Sequence, residues 1–341
     1  MPEDTNTNMK SLDALAIGDV MIDAFIRLFD ENAQAVTNDR GKWLAIPFGQ
    51  KVPFDFVKVI NGVGNASNAA VNIAKFGGLS SGLVANVGGD QYGRDILSSL
   101  EKNKVDCRFV HINPDKISNY HYVLWYKDER TILIKHEAYN YQWPNFRTND
   151  LPKWVYFTSI AQNTQEYHDH IGDWLEQNPQ IKMAFQPGTF QLELGVEKLS
   201  KIYKHTEILV LNREEAVELT KGNYDDLHGL LNTIHSFGPK TVVITDGPAG
   251  AYASDGTKRI KIPIYPDPKP PYERTGAGDA FASTLVAAII KGYNLEAALQ
   301  LAPINSMNVV QYVGAQEGLL SEIELTELLK KAPPEYKIEN F

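Results

Sequence analysis

A layered α/β fold, with helices on both faces of a mostly parallel sheet and a small second sheet set apart from it, is what this 341-residue sequence predicts. Three observations carry the expectation. Strand-like apolar runs alternate with amphipathic helical runs over most of the length, two β-rich segments break that rhythm, and glycines with small residues mark the mouths of helices. With 43% hydrophobic residues the chain can bury a large core. The whole of 1–341 reads as one α/β domain, with lid segments at about 24–60 and 118–137 inserted in it.

Residues 12–18, 81–88, 154–158, 182–186, 207–212 and 241–246 read as strands, and helical spacing runs over 66–76, 92–103, 191–203 and 213–219. Continuously apolar strands fit a parallel sheet buried on both faces. Ligands then gather at the carboxyl ends of its strands, where Asp19, Asn212 and Asp246 fall. The two interrupting segments alternate, as in Tyr120-His121-Tyr122-Val123-Leu124-Trp125-Tyr126 and Thr131-Ile132-Leu133-Ile134, with turn signals at Asp39-Arg40-Gly41 and Asp128-Glu129-Arg130. They come from distant parts of the chain and must pair with each other, which predicts a flap over one end of the sheet that keeps water out. An interface sheet between two copies is the other reading, compatible with the first. After the Pro-rich stretch at 264–271 the chain is mainly helical.

The net charge of −9, with no basic block longer than three residues, speaks against a nucleic-acid surface. The opening Met1 to Lys10 is polar, and the apolar run at 284–290 is too short to span a bilayer. A cytoplasmic protein without a membrane partner is expected. A lone Cys107 excludes a disulfide within the chain and any cysteine metal cluster, and fits a reducing compartment.

The stretch with most chemistry is Glu273-Arg274-Thr275-Gly276-Ala277-Gly278-Asp279-Ala280-Phe281, which runs into an Ala-rich apolar segment. Small residues let the backbone fold tightly at a helix mouth, where unpaired N–H groups and the helix dipole attract an anion. Asp279 in the first turn adds a carboxylate able to take a proton from a hydroxyl. An ordinary turn with an N-cap has the same spelling. Gly64-Asn65-Ala66-Ser67-Asn68 opens a second helix, and its amides suit a ligand with several hydroxyls or serve as caps. Asp23 follows the first strand, as a ligand for hydroxyls or a turn residue. Asn212 and Glu215 have the spacing of a capping box, at a strand end that also faces the ligand crevice. There Glu215 could hold a water of hydrated Mg²⁺. Thr245, Gly247 and Gly250 form a glycine turn that lets backbone approach a nucleotide, or simply a hairpin.

In order and spelling these motifs resemble the ribokinase/PfkB-type carbohydrate kinase family from Leu12 to about Gly318. The resemblance implies a ribokinase-like three-layer α/β/α core with a small β-sheet lid, and ATP- and Mg²⁺-dependent phosphoryl transfer to a hydroxyl of a sugar or sugar derivative. It implies that Asp279 is the general base and that the N–H groups of Gly276, Ala277 and Gly278 stabilise the transferred group. Asp23, Gly64, Asn65 and Asn68 match sugar-contacting positions; Asn212 and Glu215 match the motif that orders Mg²⁺ and phosphates. Thr245, Gly247 and Gly250 match the nucleotide turn, and Asn305 or Asn308 is placed to touch adenine. Flap-to-flap homodimers are common in the family. Three departures stand out. Glu273-Arg274-Thr275 replaces an Asp-Thr-Thr that helps ribokinase-like members hold a monovalent cation, which bears on K⁺ dependence. Asp19 and Met21 replace the Ser and Asn of ribokinases, a pattern closer to members acting on other sugars or sugar acids. The segment between residues 30 and 58 is longer than a minimal flap. A nucleoside kinase, with Tyr120, Tyr122 and Trp125 stacking on a base, is the neighbouring alternative, and a non-catalytic sugar or nucleotide sensor is the alternative of another class.

Overall fold

The computed structural model describes residues 11–39, 41–127 and 129–341. The polar opening Met1 to Lys10 and the turn residues Arg40 and Asp128 lie outside them. In chain order the strands are β1 (Ala14–Ile17), β2 (Met21–Leu28), β3 (Gln34–Asn38), β4 (Gly41–Ala45), β5 (Phe54–Val63), β6 (Ser81–Gly88), β7 (Val105–Asn113), β8 (Tyr120–Tyr126), β9 (Glu129–Leu133), β10 (Trp154–Phe157), β11 (Lys182–Phe185), β12 (Thr206–Asn212), β13 (Thr241–Thr245), β14 (Ala251–Ser254), β15 (Arg259–Ile262) and β16 (Glu339–Asn340). The helices are α1 (Asn65–Phe76), α2 (Gln91–Lys102), α3 (Gln165–Gln177), α4 (Thr189–Lys198), α5 (Ser200–His205), α6 (Arg213–Thr220), α7 (Leu227–Ser236), α8 (Ala277–Lys291), α9 (Leu295–Val309) and α10 (Glu322–Lys330).

The large sheet has the order β16-β15-β14-β13-β12-β11-β10-β1-β6-β7, parallel from β13 to β7 and antiparallel at the β14–β16 edge. Period-two alternation sorts each strand between two cores. In β1, Ala14 and Ala16 join the layer of α1, α8 and α9, while Leu15 and Ile17 join that of α3, α5, α6 and α7. The first layer is built from alanines on both partners, such as Ala184 on the sheet against Ala280, Ala282 and Ala287 on α8, so α8 comes close to the sheet. Within this layer lies a buried polar node. The Asn72 amide donates to Ser283 Oγ at 2.7 Å and Thr284 Oγ1 at 2.8 Å, and Asn305 donates to Asn72 Oδ1 and Thr284 Oγ1. Asn305 Oδ1 accepts the Leu320 N–H at 2.9 Å, so α1, α8, α9 and the chain after α9 share one network.

The second sheet has the order β5-β2-β8-β9, with β2 parallel to β8. It is assembled from the two segments that interrupt the helical rhythm. The extra length between residues 30 and 58 is the separate hairpin β3–β4, paired from Gln34↔Ala45 to Asn38↔Gly41. One helix differs from the sequence pattern: the run at 191–203 is divided between α4 and α5, because Gly195 sits at φ 80° and ψ 172°, where a helix cannot continue. No helix among the described residues is long and apolar enough to cross a membrane.

The polar node makes a prediction. Asn305→Ala strands the Leu320 N–H and one Asn72 oxygen, and is expected to lower the unfolding free energy by about 2–3 kcal/mol in urea titrations. Nucleotide affinity by calorimetry should be unchanged in the folded protein. A loss below about 0.5 kcal/mol would show that the node does not hold the three helices together.

Candidate active site

The site forms where the mouth of α8 meets the start of α1 and the carboxyl ends of β1, β10 and β11. Gly276 precedes α8 at φ 83°, and a Cβ there would lie 2.3 Å from that of Ala315, so only glycine permits this entry into the helix. The first N–H groups of α8 are thereby presented to the cleft, unpaired as helix-start donors are. Gly64 precedes α1 at φ 116°, and a Cβ there would lie 2.8 Å from the Asp19 carbonyl oxygen, so glycine is required at this entry too.

Three amides hold Asp279 in the first turn of α8. Asn65 donates to Oδ1 at 2.8 Å, Asn68 to Oδ2 at 2.8 Å, and Gln186 to Oδ1 at 3.3 Å. Each of the last two amides is itself oriented: Gln316 donates to Asn68 Oδ1 at 2.9 Å, and the Tyr156 hydroxyl donates to Gln186 Oε1. Oδ1 takes two amides and Oδ2 only one, so Oδ2 keeps a lone pair for a further donor. Enclosure raises the Asp279 carboxyl above its ordinary range, against the pull of the three amides.

Asp23, on the inward face of β2, is the other strongly perturbed carboxyl. Burial first, then the charges of Glu273 and Asp279, push it up to about 7. Its Oδ1 is buried without a hydrogen-bond partner among the described residues, with His121 Nδ1 3.6 Å away. An Asp–His contact ordinarily lowers the acid; here desolvation of both groups wins. Asp19, buried at the end of β1, accepts from the Tyr141 hydroxyl at 2.6 Å and from the Ala161 N–H at 2.9 Å. Glu273 is buried too. Its Oε1 accepts the N–H and hydroxyl of Thr275 at 2.8 and 2.6 Å, and Arg130 of β9 approaches the same oxygen at 3.6 Å.

On the other side of Asp279 lies a cleft of about 380 Å³, which Thr245, Gly247, Gly250, Arg274, Ala277 and Gly278 line. The sequence motifs of the glycine turn and the helix mouth therefore share one cavity. Its wall on α9 is Pro303, Ser306, Met307 and Val310, residues spaced three and four apart on one helical face. Asn305 and Asn308 are off that face, which corrects the expectation that one of them reaches adenine. Asn305 is wholly buried in the polar node, and the Asn308 amide donates to the Gly318 carbonyl at 2.7 Å. Asn212 and Glu215 do form the capping box, Asn212 Oδ1 accepting the Glu215 N–H at 2.8 Å and Glu215 Oε2 accepting the Asn212 N–H at 2.8 Å. Burial raises the Glu215 carboxyl, and Asp279 is close enough to add to the effect. No cluster of three or more His, Cys, Asp or Glu fit to hold a metal occurs among the described residues. Asn212, Glu215 and the α8 mouth suit a Mg²⁺ held mostly by water and phosphate oxygens.

Sequence reasoning did not single out Gln186, Tyr156, His121, His136 or the α9 wall. His121 was within reach, since it is paired directly with Asp23 across β2 and β8 and so shares its face. Gln186 carried no signal beyond its place at a strand end. Of the flap aromatics, Trp125 is buried against Phe25, Val123 and Val313, Tyr120 packs between Tyr92 and Tyr122, and Tyr122 is half exposed.

Residues 58–322 match the model of the pfkB family carbohydrate kinases. An ATP-dependent 6-phosphofructokinase of Thermoanaerobacterium thermosaccharolyticum is 22% identical over 319 residues, 90% of either chain. Bacillus subtilis ribokinase is 26% identical over 286 residues, 78% of this chain and 87% of the relative. Among solved structures, Arabidopsis thaliana ribokinase complexed with ribose and ATP superposes with a TM-score of 0.74 at 18% identity, over 94% of this chain and 99% of that one. The nucleoside kinase of Methanocaldococcus jannaschii gives 0.72 at 20% identity, over 95% and 100%. The chain belongs to the pfkB family of carbohydrate kinases, phosphotransferases with an alcohol acceptor.

Proposed function

We propose that this protein transfers the terminal phosphoryl group of ATP, with Mg²⁺, to a hydroxyl of a sugar or sugar derivative. The observation that carries the reading is a carboxylate at a helix mouth, steadied by three amides, next to a cleft of about 380 Å³ that the glycine turn and the helix mouth line together. In this reading the Asp279 Oδ2 lone pair accepts the proton of the attacking hydroxyl. Its raised affinity for protons suits that task. The N–H groups at Gly276, Ala277 and Gly278 face the charge that spreads over the transferred oxygens, where positioning and electrostatics do most of the work. Bound Mg²⁺ would neutralise phosphate charge, and Glu215 would hold one of its waters through its second oxygen. Thr245, Gly247 and Gly250 would bring backbone against the nucleotide, with Pro303 and Met307 as the apolar bed of its base. Gly64, Asn65, Asn68 and Asp23 would seat the acceptor. Trp125 is buried and Tyr120 packs between Tyr92 and Tyr122, which favours a sugar over a base stacked on these rings, and the three-amide cradle around Asp279 favours catalysis over sensing.

The lid would also join two copies of the chain. On the outward face of its sheet Val57, Val59, Tyr122 and Leu133 are each about half exposed and sit side by side across β5, β2, β8 and β9.

Asp279→Asn is expected to lower kcat by about 10²–10⁴-fold, with acceptor affinity by calorimetry nearly unchanged. A variant within about tenfold of the parent would remove Asp279 as base. For Asp23, the folded protein holds a proton that the unfolded chain has released between pH 3.8 and about 7. Its stabilising contribution is thus complete below pH 3.8 and lost as pH rises through about 7. Asp23→Asn should therefore raise Tm by roughly a few degrees at pH 8 but little at pH 4, while weakening acceptor binding at least tenfold. Equal Tm gains at both pH values would contradict the burial argument.

A further inference from the structure

Two imidazoles line the acceptor side of the site, and the phosphoryl-transfer reading gives them no task. His121 of β8 is 6% exposed and is paired in register with Asp23, so both side chains point inward from the lid. His136, just beyond β9, lies with Nδ1 3.4 Å from Asp19 Oδ2. The rings meet edge to face, centroids 5.3 Å apart, and His136 also stands against Phe190 at 6.2 Å. His121 Nε2, His136 Nδ1 and Asp23 Oδ1 are all buried without a hydrogen-bond partner among the described residues. Unsatisfied buried polar atoms are uncommon, and three on side chains this close together would be satisfied at once by a ligand with several hydroxyls.

The chemistry of that ligand follows from the charges present. Those acting on Asp23 are Glu273 and Asp279, both carboxylates, and those acting on His121 are His136 and Asp19. Burial, helped by His136, holds His121 down to about 4, so at neutral pH its ring is an uncharged donor and acceptor. Two lid cations near these groups are turned to carboxylates of their own, Arg130 to Glu273 and Lys135 to Glu137. A hydroxyl beside a carboxylate–imidazole pair donates to the first and accepts from the second, whereas a phosphate or carboxylate would bring further negative charge to a site that already gathers Asp19, Asp279 and a partly protonated Asp23. Building on the kinase reading, we infer that His121 and His136 are the residues that recognise the acceptor, and that they select an uncharged polyhydroxylated compound over sugar acids and sugar phosphates.

The test uses the full chain and matched probes: D-ribose, D-fructose and adenosine against D-ribose 5-phosphate, D-fructose 6-phosphate and D-gluconate. Binding is measured by calorimetry on the Asp279→Asn protein, and ADP release on the parent. At least one uncharged probe is expected to bind, at least a hundredfold more tightly than its anionic counterpart. His121→Gln and His136→Gln, with His136→Leu as a less buried second variant, should each raise its Kd and KM ten- to a hundredfold with kcat nearly kept. Circular dichroism confirms that each variant is folded. In the parent, the ¹⁵N resonance of His121 Nε2 should shift when the probe is added. Tighter binding of an anionic probe, parental affinity in the folded histidine variants, or no binding by any uncharged probe would each overturn the inference. ADP release on an anionic acceptor with the histidine variants at parental KM would leave the kinase reading standing and this inference fallen. Binding of an uncharged probe that the histidine variants lose, without ADP release by the parent, would do the reverse.

Discussion

The geometry of the site depends on one carboxylate being held by neutral donors. Asp279 sits at a helix mouth, where the dipole favours its charge, in an enclosure that disfavours it. Three amides settle the balance. They come from α1 and the end of β11, so they converge only if α1 and α8 dock side by side on the sheet. The alanine-built layer permits that docking, because small side chains on both partners let the backbones approach. The polar node of Asn72, Ser283, Thr284 and Asn305 then fixes the register of the helices a little deeper. Neutral amides steady the carboxylate without lowering its affinity for protons as far as an arginine partner would.

The lid is fastened to the same machinery. Phe25, Val123 and Trp125 on its inward face pack on Val313 and Ile60, and Trp125 meets Tyr272 edge to face at 4.9 Å. Tyr272 adjoins Glu273, which gathers Thr275 of the helix mouth and Arg130 of the lid around one oxygen. Glu273 also accepts from the Gly314 N–H at 3.4 Å. The lid and the helix mouth thus share one buried carboxylate, three residues before Gly276.

The strands of the parallel core were legible because each is buried on both faces and reads as an unbroken apolar run, as at 81–88 and 241–245. The lid was legible from its alternation and lack of helical period. The edge strand β7 was not, since one side faces solvent and its pattern is broken by Asp106, Arg108 and His111. Gly195 was read through as helix because a single glycine within a periodic run does not announce its φ.

What the sequence by itself determined was the set of elements, the helix mouths with their glycines, and the carboxylate and amides most able to do chemistry. These are local properties, written in spacing and residue type. Only the tertiary structure decided which side chains meet: that Gln186 and Tyr156 complete the cradle of Asp279, that His121 stands beside Asp23 and His136 beside Asp19, and that Asn305 ties helices together away from the cleft. The reason is geometric. Convergence of residues from β1, β2, β8, β11, α1 and α8 is set by strand order and helix docking, long-range quantities that no window of sequence contains.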